Sequence, residues 1–183
     1  MKLRHPFERL SPSGQKTAFI ALFIAAIALM VILSVLGQPL KTKGAPGGIV
    51  SFELAGELPL AQNILGSWGP TERIYAGVNL GLDYLFLVVY ASAIALGCVL
   101  VAGSLSGRAG VFSVLGVVIG WAQFGAALLD CLENYALIRL LVGSTEAWLP
   151  VIARWCAVPK FLIVAVGLVY VVMGGIVVKF GKE

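Results

Sequence analysis

Thr17 to Leu36 is a run of twenty residues without a charged side chain. At 1.5 Å per residue a helix of that length reaches about 30 Å, the thickness of a bilayer's hydrocarbon core. Lipid offers no hydrogen bonds, so a segment crossing it must satisfy its own backbone, as a helix does. Three more apolar runs follow, at about 82–102, 111–137 and 161–178. Sixty per cent of the residues are hydrophobic and 12% are charged, about half the charge of an average soluble domain. The reading is an all-α membrane protein, a four-transmembrane-helix bundle forming a single domain over 1–183. A secretory signal peptide is the rival reading of the first run, but its apolar part would be about 7–15 residues long with a small-residue cleavage site after it. Ser34-Val35-Leu36-Gly37 fits such a site poorly, so an uncleaved first span is favoured.

The net charge of +4 is not spread as an aromatic-interleaved basic face, so nucleic acid is not an expected partner. Lys and Arg instead report threading. With the N-terminus inside, the cytoplasmic pieces carry Lys2, Arg4, Arg9, Lys16, Arg108, Lys179 and Lys182. The two outer loops, 37–81 and 138–160, are more than twice as long and carry Lys41, Lys43, Arg73, Arg139, Arg154 and Lys160. The positive-inside rule then places both termini in the cytoplasm and the chain in a cell (inner) membrane.

The first outer loop opens with the turn-rich GQPLKTKGAPGG. Ile49 to Gly56 reads as a short extended segment, from its β-branched and aromatic start. Pro59 to Trp68 has apolar residues at helical spacing, with Pro59 suited to a first turn. It is expected as an amphipathic helix on the membrane surface or capping the bundle, with Trp68 as an interfacial ring. Leu140 to Pro159 reads as a second loop. Gly103 to Gly110 is a tight cytoplasmic turn around Arg108. The spacings Gly77-xxx-Gly81 and Gly116-xxx-Gly120 permit close helix contact.

Charge inside the apolar runs is where chemistry can lie, because an ionisable group in a membrane needs a partner, a ligand or a task. Asp83 and Asp130 lie twenty and nineteen residues from the turn that joins spans two and three. Both therefore sit about 30 Å from it, at one depth near the outer boundary. Gln123, Asp130 and Asn134 share a helix face, and Asp83 shares one with Tyr90. The candidate ligand-binding residues are Asp83, Tyr90, Gln123, Asp130, Glu133 and Asn134. Arg139, Arg154 and Lys160 are their candidate charge partners, and Glu53 and Glu57 are able to fold over the layer. Either the charges neutralise one another and fix helix register, or the layer is an outward-facing pocket for a polar headgroup, a cation or an amine-bearing amphiphile. Two or three carboxylates with an amide suit a hard divalent cation, although DxxEN spacing does not demand a metal. No catalytic residues are assigned: His5 is the only histidine, and no serine or cysteine nucleophile motif is present. No cofactor is predicted. Cys131 and Cys156 fall on the same outer side, so a disulfide and two ordinary thiols both stay open.

FELAG at Phe52–Gly56, LGLDYLF at Leu80–Phe86 and LLDCLEN at Leu128–Asn134 together resemble small bacterial four-span integral membrane proteins without an assigned function. The resemblance spans about Phe52 to Lys160 and implies the same fold and threading, with no activity. Tetraspan proteins of animal junctions share the helix count, but their W-x-x-W and paired-cysteine signature is missing from the first outer loop here. Three functions are thus in play. The leading one is a non-enzymatic accessory, assembly or binding protein, partnered by the bilayer and by another membrane protein or a second copy of itself. The second is an outer-leaflet lipid or amphiphile site, binding or enzymatic, on Asp83, Asp130 and Glu133. The third is a cation- or proton-coupled transporter.

Overall fold

The computed structural model describes residues 4–105 and 110–180. Arg108 and the turn expected around it lie outside them. The described chain is all helix: α1 (Pro12–Gly37), a 3-10 turn (Gln38–Leu40), α2 (Ile49–Glu53), α3 (Leu58–Gly66), α4 (Pro70–Leu105), α5 (Gly110–Leu141) and α6 (Trp148–Phe180). α1, α4, α5 and α6 are each long and apolar enough to cross a membrane, and they form a four-helix bundle. α1 buries none of its residues, and Phe23, Ile24, Val31 and Val35 are all more than half exposed. In water such a helix would be an aggregation hazard; in a bilayer, lipid tails solvate it.

The contacts divide the chain into two compact units. The first comprises 4–26, 88–127 and 161–180. Its helices approach closely through small residues. A Cβ added at Gly116 would run into the Tyr170 hydroxyl, and one at Gly120 would stand 3.2 Å from the Ala95 carbonyl. One added at Gly167 would meet the Gln123 amide at 2.5 Å. The expected contact at Gly116-xxx-Gly120 is thus present. Gly77 meets only the end of Leu141 at 3.7 Å, and Gly81 meets nothing, so the other spacing is not a packing seam. Tyr170 donates its hydroxyl to the Phe112 carbonyl at 2.8 Å, and Trp121 donates its indole N–H to the Arg4 carbonyl at 3.0 Å.

The second, capped unit comprises 27–87 and 128–160. Here the connection between α1 and α4 folds into a lid with a core of its own. Ala61, Ile64, Leu65 and Trp68 recur at the spacing of one helix face and are all buried, together with Leu40, Phe52, Leu137, Leu140 and Leu149. Phe52 meets Trp68 edge to face, with ring centroids 5.4 Å apart. Trp68 donates its indole N–H to the Leu40 carbonyl at 2.9 Å, and Thr42 and Ser67 join their hydroxyls at 2.7 Å. Arg73 donates to the Leu65 carbonyl at 2.8 Å and to the Trp68 carbonyl at 3.3 Å, satisfying carbonyls left over at the end of α3.

Three expectations change. Ile49–Glu53 is a helical turn rather than an extended segment, because a lone strand has no neighbour to satisfy its backbone. Trp68 is 2% exposed and is a core residue rather than an interfacial ring. The segment read as a second loop is helical from Trp148 onward, and α6 continues through Pro159. A proline removes one backbone hydrogen bond, but helices that cross membranes tolerate it when neighbours re-satisfy the freed carbonyl.

Candidate functional site

The polar residues of the capped unit occupy positions that would otherwise be core. On α5, Ala126, Asp130, Glu133, Leu137 and Leu140 alternate by four and three, which is one helix face, and all are buried. On α6, Ala153, Ala157 and Lys160 do the same. On α4, Ala76, Leu80, Asp83 and Leu87 follow the same spacing, with Asp83 half-buried and the others buried. Helix geometry thus directs three carboxyls and an ammonium inward.

Lys160 is the hub. Its Nζ lies 2.8 Å from Asp130 Oδ1 and 2.8 Å from Glu133 Oε2. Asn134 donates its amide N–H to Asp83 Oδ2 at 2.6 Å. Tyr84, one residue on from Asp83, donates its hydroxyl to the Cys131 carbonyl at 3.3 Å and ties α4 to α5. The expected layer therefore exists for Asp83, Asp130, Glu133, Asn134 and Lys160.

The other candidates sit elsewhere. Arg139 turns to Glu146 at 3.3 Å and to the Tyr135 hydroxyl at 3.0 Å. Arg154 is exposed and lays its side chain across Gly56. Neither guanidinium neutralises the carboxyls, because α5 and α6 point these residues away from the buried face. Tyr90 and Gln123 are buried in the first unit. Gln123 donates to the Ile163 carbonyl at 3.1 Å, a contact within that unit's own packing. Cys131 and Cys156 are free thiols.

Glu53 is the residue that sequence reasoning placed only loosely. It ends α2, and its Oε2 is closed off from solvent. Its carboxyl feels the charges of Lys160 and Asp130. Burial pushes the Glu53 carboxyl above its ordinary value, with Lys160 opposing and Asp130 acting the same way as burial. Glu53 Oε2 and Glu133 Oε1 are buried acceptors without a hydrogen-bond donor among the described residues. Glu57, the other acidic residue of this stretch, is exposed. The signal that separates the two is the apolar partner: Phe52 and Ala55 anchor α2 in the core and carry Glu53 inward.

Beside the layer lies a cavity of about 280 Å³. Glu53 and Asp83 line it with the amide side chains Gln38, Asn79 and Asn134. Met30, Leu33, Ile49 and Leu80 form its apolar wall, and Lys41 also borders it. Asn79 donates to the Leu33 carbonyl at 2.9 Å, which fixes the end of α1 as one side of the space. Among the described residues no three His, Cys, Asp or Glu side chains converge on a point where a metal ion fits. Four carboxyls thus gather around one buried ammonium, and two of them, Asp83 and Glu53, border the cavity.

Compared with protein-family models, curated proteins and solved structures, the chain matches none of them.

Proposed function

We propose that this multi-pass membrane protein acts by binding, and that the cavity bordered by Glu53 and Asp83 takes the amine headgroup of an amphiphile. The observation that carries the reading is the unequal treatment of the carboxyls. Asp130 and Glu133 are closed by Lys160, whereas Asp83 and Glu53 open on a void with an apolar wall. Carboxylates in a poorly solvated space favour a cation, and a charge-assisted hydrogen bond is about twice as strong as a neutral one. The wall formed by Met30, Leu33, Ile49 and Leu80 suits the first carbons of a tail. A cation beside the Glu53 carboxyl, which burial holds above its ordinary value, favours its ionised form, so binding strengthens as pH rises while the ligand's amine stays charged. With both termini cytoplasmic, the cavity serves the outer leaflet.

The test is the lipid that the protein carries out of the membrane. Protein purified in mild detergent is extracted and its lipids are compared with the bulk membrane extract by mass spectrometry. Amine-bearing lipids are expected to be enriched on the wild type, and the enrichment to vanish in Asp83→Asn. A bound-lipid profile equal to the bulk profile in both proteins overturns the reading.

A further inference from the structure

The cavity wall carries both signs of charge. Lys41, directly after the 3-10 turn, borders the same space as Asp83 and Glu53 and forms no ion pair among the described residues. A plain alkylamine satisfies the carboxylates but sets its cation near a second one. A plain phosphate satisfies Lys41 but sets an anion beside two carboxyls. A zwitterion satisfies both ends. The kind of ammonium also follows from the wall. None of the residues lining the cavity is aromatic, whereas quaternary ammonium groups are recognised by aromatic cages. What the wall offers is acceptors: the carboxyls of Asp83 and Glu53 and the side-chain amides of Asn79 and Asn134. Acceptors select an ammonium that still has N–H bonds to donate. The volume, about 280 Å³, falls at the small end of ligand pockets, which start near about 300 Å³. It holds a headgroup and not a whole lipid.

We infer that the cavity recognises a phosphoethanolamine-type zwitterion, its primary ammonium toward Asp83 and Glu53 and its phosphate toward Lys41, in preference to the trimethylated headgroup. This rests on the proposed amine-binding role of the same cavity, and it adds the phosphate, its residue and the methylation state.

Binding of lysophosphatidylethanolamine, lysophosphatidylcholine and a long-chain alkylamine of matched tail length, measured by microscale thermophoresis on the full chain in detergent, tests it. The ethanolamine lipid is expected to bind about tenfold more tightly than either of the others, the gain given by one charge-assisted contact. Lys41→Ala, a change at an exposed residue, is expected to bring the ethanolamine lipid down to the level of the alkylamine and to leave the alkylamine unchanged. Free phosphoethanolamine, without a tail, is expected to displace the bound lysolipid at high concentration, which assigns recognition to the headgroup. Equal affinity for the ethanolamine and choline lipids, an unchanged affinity in Lys41→Ala, or no displacement at any concentration overturns the inference. Those results leave the broader reading standing if the alkylamine still binds and still weakens in Asp83→Asn and Glu53→Gln. That reading falls separately if the alkylamine does not bind at all, or binds both variants as well as the wild type.

Discussion

Glu53 and Lys160 show why the same charge means different things at different positions. Lys160 reaches two carboxylates at 2.8 Å each, and removing one member of a buried pair costs about 3–5 kcal/mol because the other charge is left uncompensated. Glu53 forms no ion pair among the described residues, and burial favours its protonated form. The sign of its pH dependence follows from that. Glu53 is raised above its ordinary 4.5 by burial, so in the folded state it keeps a proton that the unfolded chain gives up. Its contribution to stability is full below the ordinary glutamate value and is lost as pH rises from there through the raised one. Glu53→Gln keeps the shape but cannot ionise. Thermal melts in detergent from pH 4 to 9 are expected to show the wild type losing stability with rising pH across that window and Glu53→Gln losing less. Parallel curves for the two proteins would mean that Glu53 is ionised in the fold. The motif DxxEN pointed to Asp130, Glu133 and Asn134 from sequence alone, because carboxylates at core spacing in an apolar run are conspicuous. Glu53 was legible only as one of two carboxyls, with Glu57, able to fold over the layer, since its depth depends on how that connection folds.

At the scale of elements, the lid is what makes the cavity. α2 and α3 are five and nine residues long, too short to persist alone in water, so their helicity comes from docking on the core. Trp68 is the pin, through its contact with Phe52 and its bond to the Leu40 carbonyl. Trp68→Ala is expected to destabilise the capped unit by about 3–5 kcal/mol. Limited proteolysis should then cut between Gly44 and Gly69 at temperatures where the four long helices remain folded by circular dichroism. Protease resistance equal to that of the wild type would show the lid to be held elsewhere. Gly56 marks the exit from α2, with φ +73° and the Arg154 side chain lying across the space a Cβ would fill. The helix over Pro59–Trp68 was readable because its apolar spacing is strong. Ile49–Gly56 was not, since an eight-residue stretch broken by Ser51 and Glu53 carries no period that separates strand from helix. The helical start of α6 was hidden by Pro150 and Pro159, residues that end helices in water but not where neighbouring helices supply the missing partners.

For the whole molecule, four apolar runs were enough to specify a four-helix bundle, because lipid allows so few alternatives. The carboxylate layer was legible by counting residues along helices of fixed rise. The direction of Arg139 and Arg154 was not, since a helix position fixes a face and a long side chain on its edge can turn either way. The cavity was least legible of all: it is bordered by α1, the connection after it, α4 and α5 together, and no local pattern encodes a void. The most direct test of its role is to ask where an amine goes. A long-chain alkylamine carrying a photoactivatable diazirine near its headgroup is crosslinked to the protein in lipid bilayers, and the labelled peptides are read by mass spectrometry. The account predicts labels concentrated on Met30–Leu33 and around Ile49, and their loss when unlabelled alkylamine competes. Labels spread along exposed apolar faces such as Val166–Met173 of α6, unaffected by competitor, would contradict it.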